Sequence, residues 1–166
     1  MPLNTKVLLD LDADYTSALD LSTTENHLDF TRQIALATGT GANQADKIWH
    51  DERTLTASAN EALDLAGVLT DAFGALLTFA RVKGLLVYAN PANTNNVLVG
   101  GAVSNAFVNW VSDATDVVVV RPGGLFATFA PDATAFAVGT GDQLKVTNSG
   151  AGTSVTYDIV VIGSSV

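Results

Sequence analysis

Residues 143–163 alternate twice. Leu144 and Val146 alternate with Gln143, Lys145 and Thr147. After the run NSGAGT (148–153), Val155, Tyr157, Ile159 and Val161 share one face, with Thr156 and Asp158 on the other. Period-two alternation on both sides of a Gly/Asn/Ser gap predicts two strands joined as a β-hairpin. Residues 159–162 are apolar on both faces, which is expected of a strand covered on both sides, in the middle of a sheet.

The pattern recurs along the chain. Strands are expected at 6–11, 30–38, 47–56, 76–89, 97–99, 106–111, 117–120, 125–130 and 135–138. Gly, Pro and Asn punctuate them at Gly39-Thr40-Gly41, Asn90-Pro91, Gly100-Gly101, Pro122-Gly123-Gly124 and Pro131-Asp132. Gly84 interrupts its strand, as a bulge or a close backbone approach would. Residues 58–65 read equally as a strand or a short helix, since Ser58 and Glu61 have capping-box spacing. About eight to ten short strands at roughly 8–12-residue spacing predict an all-β antiparallel sandwich, and a jelly-roll-like order is the preferred topology. No repeat of fixed period is visible, which disfavours a propeller or solenoid. Residues 1–28 are acid-rich and weakly periodic. They are read as an N-terminal arm with one strand, ordered by a neighbour, and residues 29–166 as the sandwich domain.

Composition narrows function. Charged residues are 15% of the chain, against the ~25% usual for soluble domains. Apolar residues are 48%, and that balance predicts a surface covered by other copies or by a partner. Residues 106–111 and 125–130 carry apolar groups on both faces, so Phe107, Trp110, Phe126 and Phe129 are candidate subunit-interface residues. Net charge is −9, and the eight basic residues are scattered, which argues against nucleic acid as a partner. No apolar run approaches the ~18 residues of a membrane span, and residues 1–14 do not read as a signal peptide. Synthesis in a cytoplasm, with nothing directing export, is therefore expected. With no cysteine, disulfides and thiolate metal sites are excluded.

No catalytic or metal motif is satisfied. Asp10-Leu11-Asp12-Ala13-Asp14 begins like a calcium loop, but Tyr15 and Leu21 stand where that loop needs Gly and Glu. The histidines, His27 and His50, offer too few ligands for zinc. No Gly-x-Ser-x-Gly elbow occurs, and neither Gly-Thr-Gly turn is a phosphate loop. The expectation is a protein without catalysis, cofactor or metal. Trp49, Trp110 and the phenylalanines could form a carbohydrate platform, but such aromatics are more often core.

The runs GTGANQADKIWHDERTL (39–55), LDLAGVLTDAFGALLTFARVKGLLV (63–87), VVVRPGGLFATFAPD (118–132) and QLKVTNSGAGTSVTYDIVVIG (143–163) resemble small virion proteins of tailed bacteriophages. The resemblance spans residue 36 to the end. It implies a structural role in the virion, made in the bacterial host and located on the capsid surface. Capsid cement or decoration proteins of this kind are often trimeric β-sandwiches, so a homotrimer on the major capsid protein shell is implied. The acidic arm (Asp10, Asp12, Asp14 and Asp20) is the candidate shell-contacting element. A tail or head-fibre component, or a receptor- or carbohydrate-binding module, is the alternative.

Overall fold

The computed structural model describes residues 2–166. It is all-β, with twelve strands. These are β1 (Thr5–Ala18), β2 (Thr23–Thr38), β3 (Gln44–Ala45), β4 (Lys47–Leu55), β5 (Asn60–Asp64) and β6 (Arg81–Ala89). They are followed by β7 (Val97–Gly100), β8 (Val117–Val120), β9 (Leu125–Phe129), β10 (Phe136–Ala137), β11 (Gln143–Asn148) and β12 (Val155–Ser164).

Two sheets form the body. One has the order β10-β6-β12-β4, with β9 also pairing β6; the other has the order β5-β11-β7-β8. Every pairing within them is antiparallel. Alternation gives each sheet one inward face. Val155, Tyr157, Ile159 and Val161 of β12 meet Leu144 and Val146 of β11 and Val97 and Val99 of β7 in one core. The result is a β-sandwich. β12 is central in its sheet, between β4 and β6.

The expected hairpin at 143–163 does not form. β11 and β12 belong to different sheets, and residues 149–154 cross between the layers. Asn148 fixes that crossing. Its buried amide donates to the carbonyls of Thr56 and Thr153 at 3.0 and 2.8 Å and accepts from the Asn95 amide at 3.0 Å. Partners from three other segments offer the chain a corner in place of a turn.

Further corrections follow from side-chain packing. Residues 106–111 are not a strand. Only Ala106 makes a bridge, to Gln143, and the Trp110 indole N–H bonds the Phe107 carbonyl at 2.8 Å across a turn. Residues 76–80 precede β6 and are not part of it. Residues 60–64 are strand, and Ser58 sits in a left-handed turn; Glu61 is drawn to partners across the sandwich and away from the backbone. The register of β12 on β6 shifts between Ile162 and Gly163, so the bulge falls at Val82-Lys83, beside Gly84. At Gly84 the Phe129 ring occupies the place a Cβ would take.

The N-terminal region is a ribbon. β1 and β2 pair through 14 residues of β1 without a register shift, closed by a short loop in which the Leu19 amide bonds the Ser22 carbonyl at 2.7 Å. The boundary expected at 28/29 lies inside β2, and residues 12–18 and 23–26 are strand. At about 3.4 Å per residue the ribbon is roughly 45 Å long. Its base is anchored. Leu36 and Ile34 pack with Ile162, Ile48, Val160 and Leu3 on the outer face of the β12 sheet, and β3 pairs parallel with the end of β2.

Candidate functional site

The ribbon is the feature that the sandwich does not need. A two-stranded hairpin is marginally stable alone, and this one extends far past its anchor. Successive side chains alternate faces, so its register sorts the chemistry. One face carries Val7, Leu9, Leu11, Ala13 and Tyr15 from β1, opposite Ile34, Phe30 and Leu28 from β2. The other carries Asp10, Asp12 and Asp14, opposite Thr31, Asp29 and His27, with Glu25 further out.

The apolar face is uncovered beyond its base: Leu9, Leu11 and Leu28 are 58%, 51% and 47% exposed. Its one charge is Arg32, whose guanidinium lies 4.3 Å from the centre of the Phe30 ring. That contact keeps the cation flat on the ribbon.

Asp10, Asp12 and Asp14, three of the four acids expected to meet a partner, fall on the acidic face; Asp20 lies in the tip loop. Thr31 donates to Asp10 at 2.9 Å, and the His27 Nδ1 lies 2.7 Å from Asp14 and 3.8 Å from Asp12. Asp12, Asp14 and His27 thus converge, all exposed. Sequence reasoning weighed His27 and the aspartates separately. The signal joining them was the register of two strands thirteen residues apart at this point, visible only once the ribbon is recognised. The short contact in the cluster is that of His27 with Asp14, and all three groups are open to water, as grouped surface acids commonly are.

Of the four aromatics expected at a subunit interface, one is buried and three are half-buried. Phe107 is a core residue, 3% exposed. Trp110 and Phe126 pack on the same core, their ring centres 5.5 Å apart. Phe129 lies half-buried over Gly84 on the outer face. Phe107 therefore offers no contact surface in the folded chain, because it fills the sandwich interior.

Two polar assemblies tie parts of the body together. The first bridges the sheets. The Tyr157 hydroxyl donates to Glu61 at 2.7 Å, Arg53 Nε donates to the same carboxylate at 3.0 Å and its Nη2 also bonds it, while Nη1 reaches Asp51 at 3.0 Å. Burial first, and the Glu61 hydrogen bond second, push the Tyr157 pKa far above the usual phenol range. The hydrogen bond to Glu61 likewise raises that of Arg53, against some desolvation. The second is Lys83, fully buried. Its ammonium donates to the Gly41 carbonyl at 3.0 Å and to the Asp132 carbonyl. Desolvation lowers its pKa, opposed by the Asp132 carboxylate. Lys83 thus ties the loop after β2 to the turn after β9, and the Asn43 amide completes the tie by donating to the Pro131 carbonyl at 2.6 Å.

Lys83→Met, close to isosteric, leaves those two carbonyls without their donor. A loss of about 1–3 kcal/mol is expected, read by urea denaturation, with faster hydrogen exchange at Asn43. Unchanged exchange there would show that Lys83 does not hold the loop.

No family model, curated protein or solved structure matches the chain.

Proposed function

We propose that the protein is a virion structural protein, a capsid cement or decoration protein that binds the assembled shell of major capsid protein and stabilises it. The observation that carries this reading is the two-faced ribbon that projects from a β-sandwich. The arm holds six acids against Lys6 and Arg32, with most of the acids on one face. An acidic face of that kind suits basic patches on a shell and steers association towards them. Several copies joined as an oligomer, a trimer in the form the sequence resemblance implies, would engage more than one capsid subunit at once. Their arms then bind at high effective concentration, so modest contacts add up to firm attachment. Free capsid subunits lack that geometry and bind poorly. The burial of Phe107 and the core packing of Trp110 and Phe126 remove support from a carbohydrate platform.

The test mixes purified protein with capsids that lack it, then sediments and heats them. Co-sedimentation and a higher rupture temperature are expected. Attachment should weaken as salt rises, because exposed charges are screened beyond about 8 Å at physiological ionic strength. Absence of both effects would reject the reading in favour of a tail or fibre component. A copy number per particle close to that of the major capsid protein would support cement, and a small one the tail.

A further inference from the structure

We propose that the distal apolar face of the ribbon seats on the outer face of the β6–β9 sheet of a second copy of this chain. The contact already exists once within the molecule. Ile34 and Leu36, on the ribbon's apolar face, cover Ile48, Val160 and Ile162 on the outer face of that sheet. Both surfaces then continue past this contact and, apart from half-buried Phe30 and Leu86, are exposed. On the ribbon the continuation is Leu9, Leu11, Leu28 and Phe30. On the sheet it begins at Leu86, the partner of Val160, and runs through Tyr88, Ala127 and Leu125, the last 61% exposed.

Within one chain the two continuations do not cover each other: Leu9, Leu11 and Leu28 on the ribbon and Tyr88 and Leu125 on the sheet all stay exposed. A second copy can cover them. Charge agrees with this occupant. The apolar face bears a single cation, Arg32, and the receiving face bears Asp158 and Glu52 beside its apolar strip. The acidic face of the ribbon is turned away from that sheet, so acid does not meet acid.

Area sets the arrangement. Residues 9–18 and their partners present a footprint of about 35 by 10 Å. One seated arm therefore buries roughly 700 Å² over both surfaces, below the ~1,200 Å² at which specific interfaces begin. Two contacts per copy, one arm given and one received, reach about 1,400 Å². Reciprocal exchange in a dimer puts both contacts in one interface; a closed ring gives each copy two contacts, one per interface, and holds them jointly by closure. The inference concerns the free chain, so its failure would leave the shell-binding proposal to be judged by sedimentation.

The test exploits a chain without cysteine. Light scattering on the full chain at micromolar concentration should give a multiple of 17.2 kDa, and Leu11→Asp and Leu125→Asp should each return it to monomer with the body's melting temperature unchanged. Chains carrying Leu11→Cys are then mixed with chains carrying Leu125→Cys and treated with a short bismaleimide. Cross-linked heterodimers are expected, and none when Asp10→Cys, on the acidic face, replaces Leu11→Cys. A monomeric wild type would overturn the proposal. So would cross-links between two Leu11→Cys chains without any to Leu125→Cys, since that pattern means arms packing on arms.

Discussion

Tyr157→Ala is expected to remove a large part of the protein's stability. Tyr157 is among the largest fully buried side chains, 0% exposed, on the central strand of its sheet. Its removal opens a cavity, and aromatic-to-alanine changes in cores cost about 3–5 kcal/mol. It also takes the hydroxyl from Glu61, a partly buried carboxylate that holds Arg53 across the two sheets, at about 1–3 kcal/mol more. The sum, about 4–8 kcal/mol, falls within the lower half of the ~5–15 kcal/mol that holds a domain together. Tyr157→Phe keeps the ring and loses only the hydrogen bond, so it should cost about 1–3 kcal/mol. Urea denaturation of the two variants separates cavity from hydrogen bond. Equal losses in both would mean the ring is not closely packed. The raised phenol pKa adds a pH signature. The neutral form is favoured in the fold, so this contribution is complete below about 10, the unfolded phenol value, and is lost as pH rises above it. In an alkaline titration Tyr157 should ionise only as the fold opens.

The second large effect is expected at Gly163. A Cβ there would lie well inside van der Waals contact distance of the Arg81 carbonyl oxygen and 2.7 Å from the Phe79 ring. The first obstacle is backbone and cannot rotate away. Gly163→Ala must therefore force β12 away from β6 where the register shifts and the Val82-Lys83 bulge sits. Overpacking typically costs about 1–3 kcal/mol, and more where the obstacle is backbone; the strain falls beside Lys83 and its bonds to the Gly41 and Asp132 carbonyls. The variant should show lost stability together with faster exchange at Asn43. Gly67→Ala, where nothing lies within 4 Å of the added carbon, is the matched control and should be near neutral. A Gly163→Ala protein as stable as that control would refute the close approach.

What the sequence revealed and what it hid follow one division. Alternation is local, so the strands at 47–55, 97–100, 117–120, 125–129, 143–148 and 155–164 were legible, and with them the all-β sandwich. Pairing is not local. Nothing between Asn148 and Val155 announces a crossing between sheets, because the partners that make it one, Thr56 and Asn95, lie some 90 and 50 residues earlier. Residues 106–111 alternate as a strand would, yet Phe107 points into the core from a turn. The ribbon misled for a different reason. With no core behind it, its apolar face reads as scattered leucines among acids. The period was nevertheless present: Leu9, Leu11 and Ala13 alternate with Asp10, Asp12 and Asp14. Counting acids as a face would have extended the first strand to Ala18.

The central claim is that the ribbon attaches the protein and the sandwich serves as its support. Leu8 and Gln33 are cross-strand partners, so residues 9–32 can be replaced by an Asn-Gly turn that closes the shortened hairpin in two residues. The base, with Ile34 and Leu36 on Ile162, is kept. Sedimentation with capsids that lack the protein, run beside thermal unfolding of both chains, is the most direct measurement. The full chain should pellet with the shells and the shortened one should stay in the supernatant, while the two unfold at the same temperature. A shortened chain that pellets as fully as the intact protein would contradict the account and place the attachment on the sandwich.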